Sequence, residues 1–233
     1  MPSPDPLTAG EKRKLTWLSR ELVEWACDNG RHFPWRSSDA GTYGQVVVEV
    51  LLQRTTATAV ARFYEAFVAR FPSWQDMAGA EVAELEEFLK PLGLWRRRAS
   101  SLLGLARYAI GAEGRFPRDQ REHAQIPAVG QYVSNAIAMF YHGEARPLVD
   151  VNMARVIERF VRPRRLADIR YDPWLQAAAH WLVAGPGAPA VNWAVLDFAA
   201  LVCKARTPLC SGCPVRRRCA YFLLGQAASP TRT

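Results

Sequence analysis

The chain has 233 residues, 49% hydrophobic and 22% charged, which is the balance of a folded globular protein and excludes disorder as its main state. Thirty Lys and Arg against twenty-two Asp and Glu give a net charge of +8 and a pI near 9.6, so the expected partner is a polyanion. No apolar run is long enough for a membrane span, and the N-terminal MPSPDPLTAGEKRKL lacks the apolar centre of a signal peptide; a soluble cytoplasmic protein with no membrane partner is expected.

Residues 11–27 place Leu15, Leu18, Leu22 and Trp25 three and four apart, which predicts an amphipathic helix. A polar turn follows, and then VVVEVLLQRTTATAVARFYEAFVARF, too long and too rich in Ala, Leu and Phe for a lone strand. It reads as two helices joined near Arg54–Thr58. AEVAELEEFLK puts Val82, Leu85 and Leu89 on one side and ends at the turn residues Pro91 and Gly93. RRRASSLLGLARYAIG is a further helix, and others are predicted over Tyr132–Tyr141, Val151–Phe160, Trp174–Val183 and Asn192–Val202. Nothing alternates with period two for long, so the fold class is all-α.

Charge is uneven along these helices. Six acidic residues and only Arg70 lie between Glu65 and Glu87, whereas six basic and no acidic residues follow Cys203. One face or end should be electropositive, unless Arg96–Arg98 and Arg216–Arg218 are simply solvated surface.

Four of the five cysteines, Cys203, Cys210, Cys213 and Cys219, share the segment CKARTPLCSGCPVRRRC with spacing C-x6-C-x2-C-x5-C. Thiolates this close can converge on one centre, and soft sulfur selects zinc or an iron–sulfur cluster. Structural zinc sites usually pair two knuckles across a longer loop. Here only Cys210 and Cys213 form a knuckle, which favours a four-iron, four-sulfur (4Fe-4S) cluster of structural purpose. Pro208 and Pro214 restrict the loop, and Lys204, Arg206 and Arg216–Arg218 suit it to phosphates. Cys27 stands apart and reads as a buried apolar residue.

Ile126-Pro127-Ala128-Val129-Gly130 precedes a helix. Pro127 and Gly130 permit a tight turn that leaves the backbone N–H groups of the next helix's first turn, from Gln131 on, free for an anion; a plain helix–helix connection is the simpler alternative. One helix later comes LVDVN, with Asp150 at a helix entrance. Such an Asp is most often a cap. After the apolar pair Leu148 and Val149 it should be partly buried, where a charge is usually paired or functional.

Together, IPAVGQYVSNAI, LVDVN and the cysteine spacing resemble the helix-hairpin-helix DNA glycosylases with an iron–sulfur cluster, a superfamily that includes endonuclease III, adenine glycosylases of the MutY type and thymine glycosylases acting on T/G mismatches. The resemblance runs from about Leu15 to Phe222; Ile126 and Ala128 depart from the usual L-P-G-V-G. It implies two lobes: a six-helix barrel over residues 36–144, and a lobe of N- and C-terminal helices, 1–35 and 145–233, carrying the cluster. It also implies a monomer, associated with the nucleoid, acting on double-stranded DNA with a mismatched or damaged base.

Carried over position by position, Asp150 matches the catalytic aspartate, whose carboxylate stabilises positive charge developing on the deoxyribose. Tyr132 stands where endonuclease III-like enzymes have the lysine that attacks the sugar, and a phenol forms no Schiff base, so a monofunctional glycosylase without efficient lyase activity is expected. Glu49 falls on the acid that protonates or reads the base; set among Val46, Val47, Val48, Val50, Leu51 and Leu52, it should hold a proton more tightly than usual. Gln53 and Arg54 match the stretch that enters the duplex during base extrusion. Pro127, Val129, Gly130 and Gln131 match the phosphate-gripping hairpin.

Leu52-Gln53-Arg54-Thr55-Thr56 looks like the T/G mismatch enzymes rather than the L-Q-Q-T-Q of the MutY type, and only fourteen residues follow Cys219, so a second domain reading oxidised guanine is not expected. Thymine or uracil opposite guanine is the expected target. The rivals are an adenine glycosylase without that domain and a non-catalytic DNA-damage-binding protein.

Overall fold

The computed structural model describes residues 6–227. Among them there is no β-strand, and the helices are α1 (Ala9–Asn29), α2 (Gly41–Leu51), α3 (Ala57–Arg70), α4 (Trp74–Ala78), α5 (Val82–Leu89), α6 (Trp95–Gly111), α7 (Gln131–His142), α8 (Val151–Phe160), α9 (Pro173–Val183), α10 (Ala188–Leu201) and α11 (Ala220–Ala227). None is long and apolar enough to cross a membrane. The short α4 carries too few residues for a periodicity to reveal it.

The chain forms two compact units. His32–Glu144 makes one, and the described residues up to Arg31 with those from Ala145 make the other. The division falls at His32 rather than residue 36, for a physical reason at each side. Arg31 donates from its backbone and its Nε to the buried Asp197 carboxylate on α10, both at 2.8 Å. Trp35 is buried in the core of the central unit, stacked on Phe33 and edge-on to Tyr64.

In the central unit, α2 is buried over Val46–Leu51 and packs on α6 and α7. Its near-continuous burial explains why its sequence shows no polar face. Thr56 caps α3 by accepting from the Ala59 N–H. Gly44 leaves room for the Tyr64 hydroxyl, which would lie 2.3 Å from any Cβ there.

The other unit is built on α1, whose Leu15, Leu18 and Leu22 are fully buried and which packs on α9 and α10. Each such leucine contributes roughly 1.5–3 kcal/mol. Thr8 and Glu11 close a capping box at its start, and Glu11 also accepts from Arg162 and Trp174. Cys27, expected to be buried, is exposed near the end of α1, since the helix turns its Leu stripe inward and Cys27 away from it.

Candidate active site

In the central unit, α2 and α7 bring Glu49 and Tyr132 together. Glu49 is only 3% exposed, and the half-buried Tyr132 donates its hydroxyl to Glu49 Oε2 at 2.8 Å. A carboxylate this deep is costly unless hydrogen-bonded. The neighbouring valines shut out water while the phenol supplies a donor.

Tyr132 lies in the first turn of α7, directly after the hairpin. Gly130 is the N-cap and offers no side-chain acceptor, and Ser134 N–H is already bonded to the Gly130 carbonyl. Gln131 and Gly130 are exposed, as is Pro127, with Val129 half-buried, so this helix start faces solvent in the manner an anion site needs. Ala128 adopts φ +63°, the left-handed region that a glycine takes without cost, which accounts for the usual glycine in this motif. The hairpin is braced from below. Gly104 on α6 lets Pro127 approach so closely that a Cβ would lie 2.7 Å from the proline's own. His123 bridges Ser134 Oγ at 2.8 Å and the Pro117 carbonyl at 2.7 Å. Because a carbonyl only accepts, His123 Nε2 is the donor to Pro117.

Gln53 and Arg54 occupy the turn after α2. Both are exposed, and Arg54 has φ +57°. Of the Arg96–Arg98 run, Arg96 and Arg97 are exposed as solvated charges would be, but Arg98 is not: it is 4% exposed and faces inward with Leu102 and Leu105.

In the other unit, Asp150 is the N-cap of α8. Its Oδ1 accepts from the backbone of Asn152 at 2.9 Å and Met153 at 2.8 Å, and its Oδ2 from the Asn152 side chain at 2.6 Å. These three donors fix the orientation of the carboxyl group at the helix N-terminus. The carboxylate is half-buried, and among the described residues Oδ2 has only the Asn152 partner, leaving it acceptor capacity toward solvent. The strand-like approach to Asp150 is fixed by the buried Asn192, which accepts from Leu148 N–H at 2.7 Å and donates to the carbonyls of Arg146 and Ala188.

Behind Asp150 runs a chain of bonds that sequence reasoning missed. Arg155 donates to Asn152 Oδ1 at 3.1 Å, to the Cys203 carbonyl at 2.9 Å and to the Ala199 carbonyl at 3.0 Å. Arg159, one turn on, donates to the Lys204 and Ala205 carbonyls and approaches Cys203 Sγ at 3.5 Å. The spacing Asn152, Arg155, Arg159 on one helical face was the available signal.

Cys203, Cys210, Cys213 and Cys219 line one apolar cavity, together with Leu18, Phe160 and Phe198 among others. Burial pushes the Cys213 thiol up to about 11 despite a bond from the Val215 backbone, and the other three sulfurs add to the rise. Among the described residues no three His, Cys, Asp or Glu side chains are grouped to hold a metal ion. The four thiols round this cavity are the soft donors that a zinc or iron–sulfur centre would take. Around it Lys204, Arg206, Arg217 and Arg218 are exposed, with Arg218 4.4 Å over the Trp17 ring.

Comparison with known proteins gives this arrangement its family. The pattern described as "HhH-GPD superfamily base excision DNA repair protein" matches residues 47–168, and the chain belongs to that superfamily. A thymine-DNA glycosylase of Aeropyrum pernix is 33% identical over 91% of this chain and 97% of its own. A thymine/uracil-DNA glycosylase of Methanothermobacter thermautotrophicus is 32% identical over 92% and 96%. The solved structure of a thermostable thymine-DNA glycosylase superposes with a TM-score of 0.79 at 28% identity, covering 91% of this chain and 98% of that one. The resemblance to helix-hairpin-helix DNA glycosylases, and the all-α fold it implied, are borne out.

Proposed function

We propose that the protein is a monofunctional DNA glycosylase that removes thymine or uracil mispaired with guanine. The names of its relatives support the substrate class, and the Tyr132–Glu49 hydrogen bond carries the monofunctional part. A phenol bonded to a buried carboxylate stands where lyase enzymes place an amine, so no Schiff base forms and the strand stays intact after base release.

In this reading the C1′–N bond breaks with its electron pair leaving on the base. Asp150, oriented by its cap, stabilises the positive charge on the sugar, and the water that attacks C1′ gives up its proton toward the same carboxylate. Glu49 and Tyr132 hydrogen-bond the extruded base and supply or share a proton as it leaves. Gln53 and Arg54 fill the space the base vacates, and Pro127, Val129, Gly130 and Gln131 hold the backbone phosphates. Cys203, Cys210, Cys213 and Cys219 would hold a 4Fe-4S cluster, which when bound cross-links the loop that carries the exposed arginines. The protein acts as a monomer.

The test is base release from T/G, U/G and A/oxidised-G duplexes, with Asp150→Asn as control. Release of thymine and uracil by the wild type alone, with nicking only after alkali, is expected. A preference for adenine overturns the substrate, equal release by Asp150→Asn overturns the catalytic assignment, and rapid nicking without alkali overturns the role of Tyr132.

A further inference from the structure

Arg98 is a buried cation with no carboxylate partner among the described residues. Its guanidinium instead donates to the carbonyls of Gln53 at 2.7 Å, Leu92 at 3.1 Å and Gly93, and to Thr55 Oγ1 at 2.8 Å. Thr55 Oγ1 in turn lies 3.4 Å from the Leu92 carbonyl. A charge taken out of water without a counter-ion is expensive, and well-packed apolar residues would be cheaper here if stability were its only role. The planar fork does what no apolar side chain can: it reaches two loops at once.

Those loops share a second peculiarity. Each holds one non-glycine residue in the left-handed region, Arg54 at φ +57° and Leu94 at φ +50°. Such residues are strained, so the conformations persist only where surroundings impose them. Both side chains end up exposed, and Leu94 at 51% is a large apolar group presented to water beside Gly93 and the exposed Arg96 and Arg97.

We infer that Arg98 is a positioning residue which locks the 52–56 and 92–95 loops into one rigid two-pronged probe, with Arg54 on one prong and Leu94 on the other, and that it thereby sets how efficiently a base is extruded from a duplex. The inference rests on the glycosylase reading above. It adds that the two prongs act as a unit and names the group that joins them. An opened substrate needs no probe, so loss of Arg98 should be felt at extrusion and far less at bond cleavage.

The experiment compares wild type, Arg98→Met, Arg98→Lys and Thr55→Val in two measurements. Single-turnover release of uracil is followed from a U/G duplex and from a single strand. In the Asp150→Asn background, the fluorescence of 2-aminopurine placed beside a T/G mismatch reports extrusion at saturating protein. Arg98→Met is expected to lose about 10- to 100-fold on the duplex, with a clearly smaller loss on the single strand and a diminished fluorescence rise. Lysine, a point charge without the fork, should recover part of this. Thr55→Val removes one link between the loops, should lose less in the same pattern, and serves if Arg98→Met does not fold. Equal losses on both substrates with an unchanged fluorescence rise, or duplex release equal to wild type, would overturn the inference. A wild type that releases neither base from the duplex would instead overturn the glycosylase reading.

Discussion

The two carboxylates of greatest interest, one in each unit, are kept in opposite environments. Asp150 sits at a helix start with three hydrogen-bond donors and an open side, whereas Glu49 lies 3% exposed among valines with the Tyr132 phenol against it. The same functional group is thus surrounded by donors and open to solvent in one place and enclosed by apolar side chains beside a phenol in the other. Environment, more than residue type, divides the labour. The proposed reaction would use both: a carboxylate beside the sugar, and a hydrogen-bonding group at the base.

The severest way to break this comparison is Asp150→Asn. Asparagine can still cap α8, so unfolding free energy should change by no more than about 1 kcal/mol. Base release in a single turnover should nevertheless fall by about 10³-fold, because the amide cannot stabilise the sugar's charge. Loss of stability in proportion to loss of activity would mean that Asp150 is a cap and nothing else. Glu49→Gln comes next. It keeps the volume and an acceptor for Tyr132 but cannot donate a carboxyl proton, and a loss of roughly 10²-fold is expected in the same assay. Tyr132→Phe leaves Glu49 without that donor and should cost less than Glu49→Gln.

Much of this contrast could be read from the residues alone, and the unread part has a definite character. Helix periodicity, LVDVN, the hairpin string and the cysteine spacing are local, so Asp150, Pro127, Gly130 and Cys203 through Cys219 were legible. So was the apolar setting of Glu49, because its neighbours in sequence are the residues that bury it. What stayed hidden are bonds across long sequence separation. Tyr132 meets Glu49 from 83 residues away, and Arg155 reaches the Cys203 carbonyl from 48. Arg98 was concealed differently, inside a run of three arginines of which only its register against Leu102 and Leu105 marks it as inward-facing.

Arg155 offers a sharper probe of how Asp150 is held. Arg155→Met strips the donor from Asn152 Oδ1 and from the carbonyls of Ala199 and Cys203. The Asn152 amide then loses the partner that fixes its orientation toward Asp150. Base release is expected to drop roughly tenfold through misplacement of the carboxylate. The measurement should be paired with visible absorbance, which would report the proposed cluster, so that a fall in activity at unchanged absorbance separates loosening of Asp150 from loss of that centre. An unchanged rate would show that the backbone cap alone positions Asp150.

The smallest effect is expected at the hairpin, and it runs the other way. Ala128 holds φ +63° with its side chain exposed, in a motif whose usual glycine takes that conformation freely. Ala128→Gly relieves about 1–2 kcal/mol of local strain. It also returns about 0.4–1 kcal/mol of freedom to the unfolded chain, so the net gain should be small, about 0.5–1 kcal/mol, and visible as a raised urea midpoint at unchanged slope. Pro127 remains pinned against Gly104 in the variant, so affinity for the DNA backbone should hold. A lower midpoint would mean that the alanine methyl contributes contacts worth more than the strain. In that case this hairpin, unlike the cap at Asp150, owes its shape to packing rather than to the turn chemistry of its own residues.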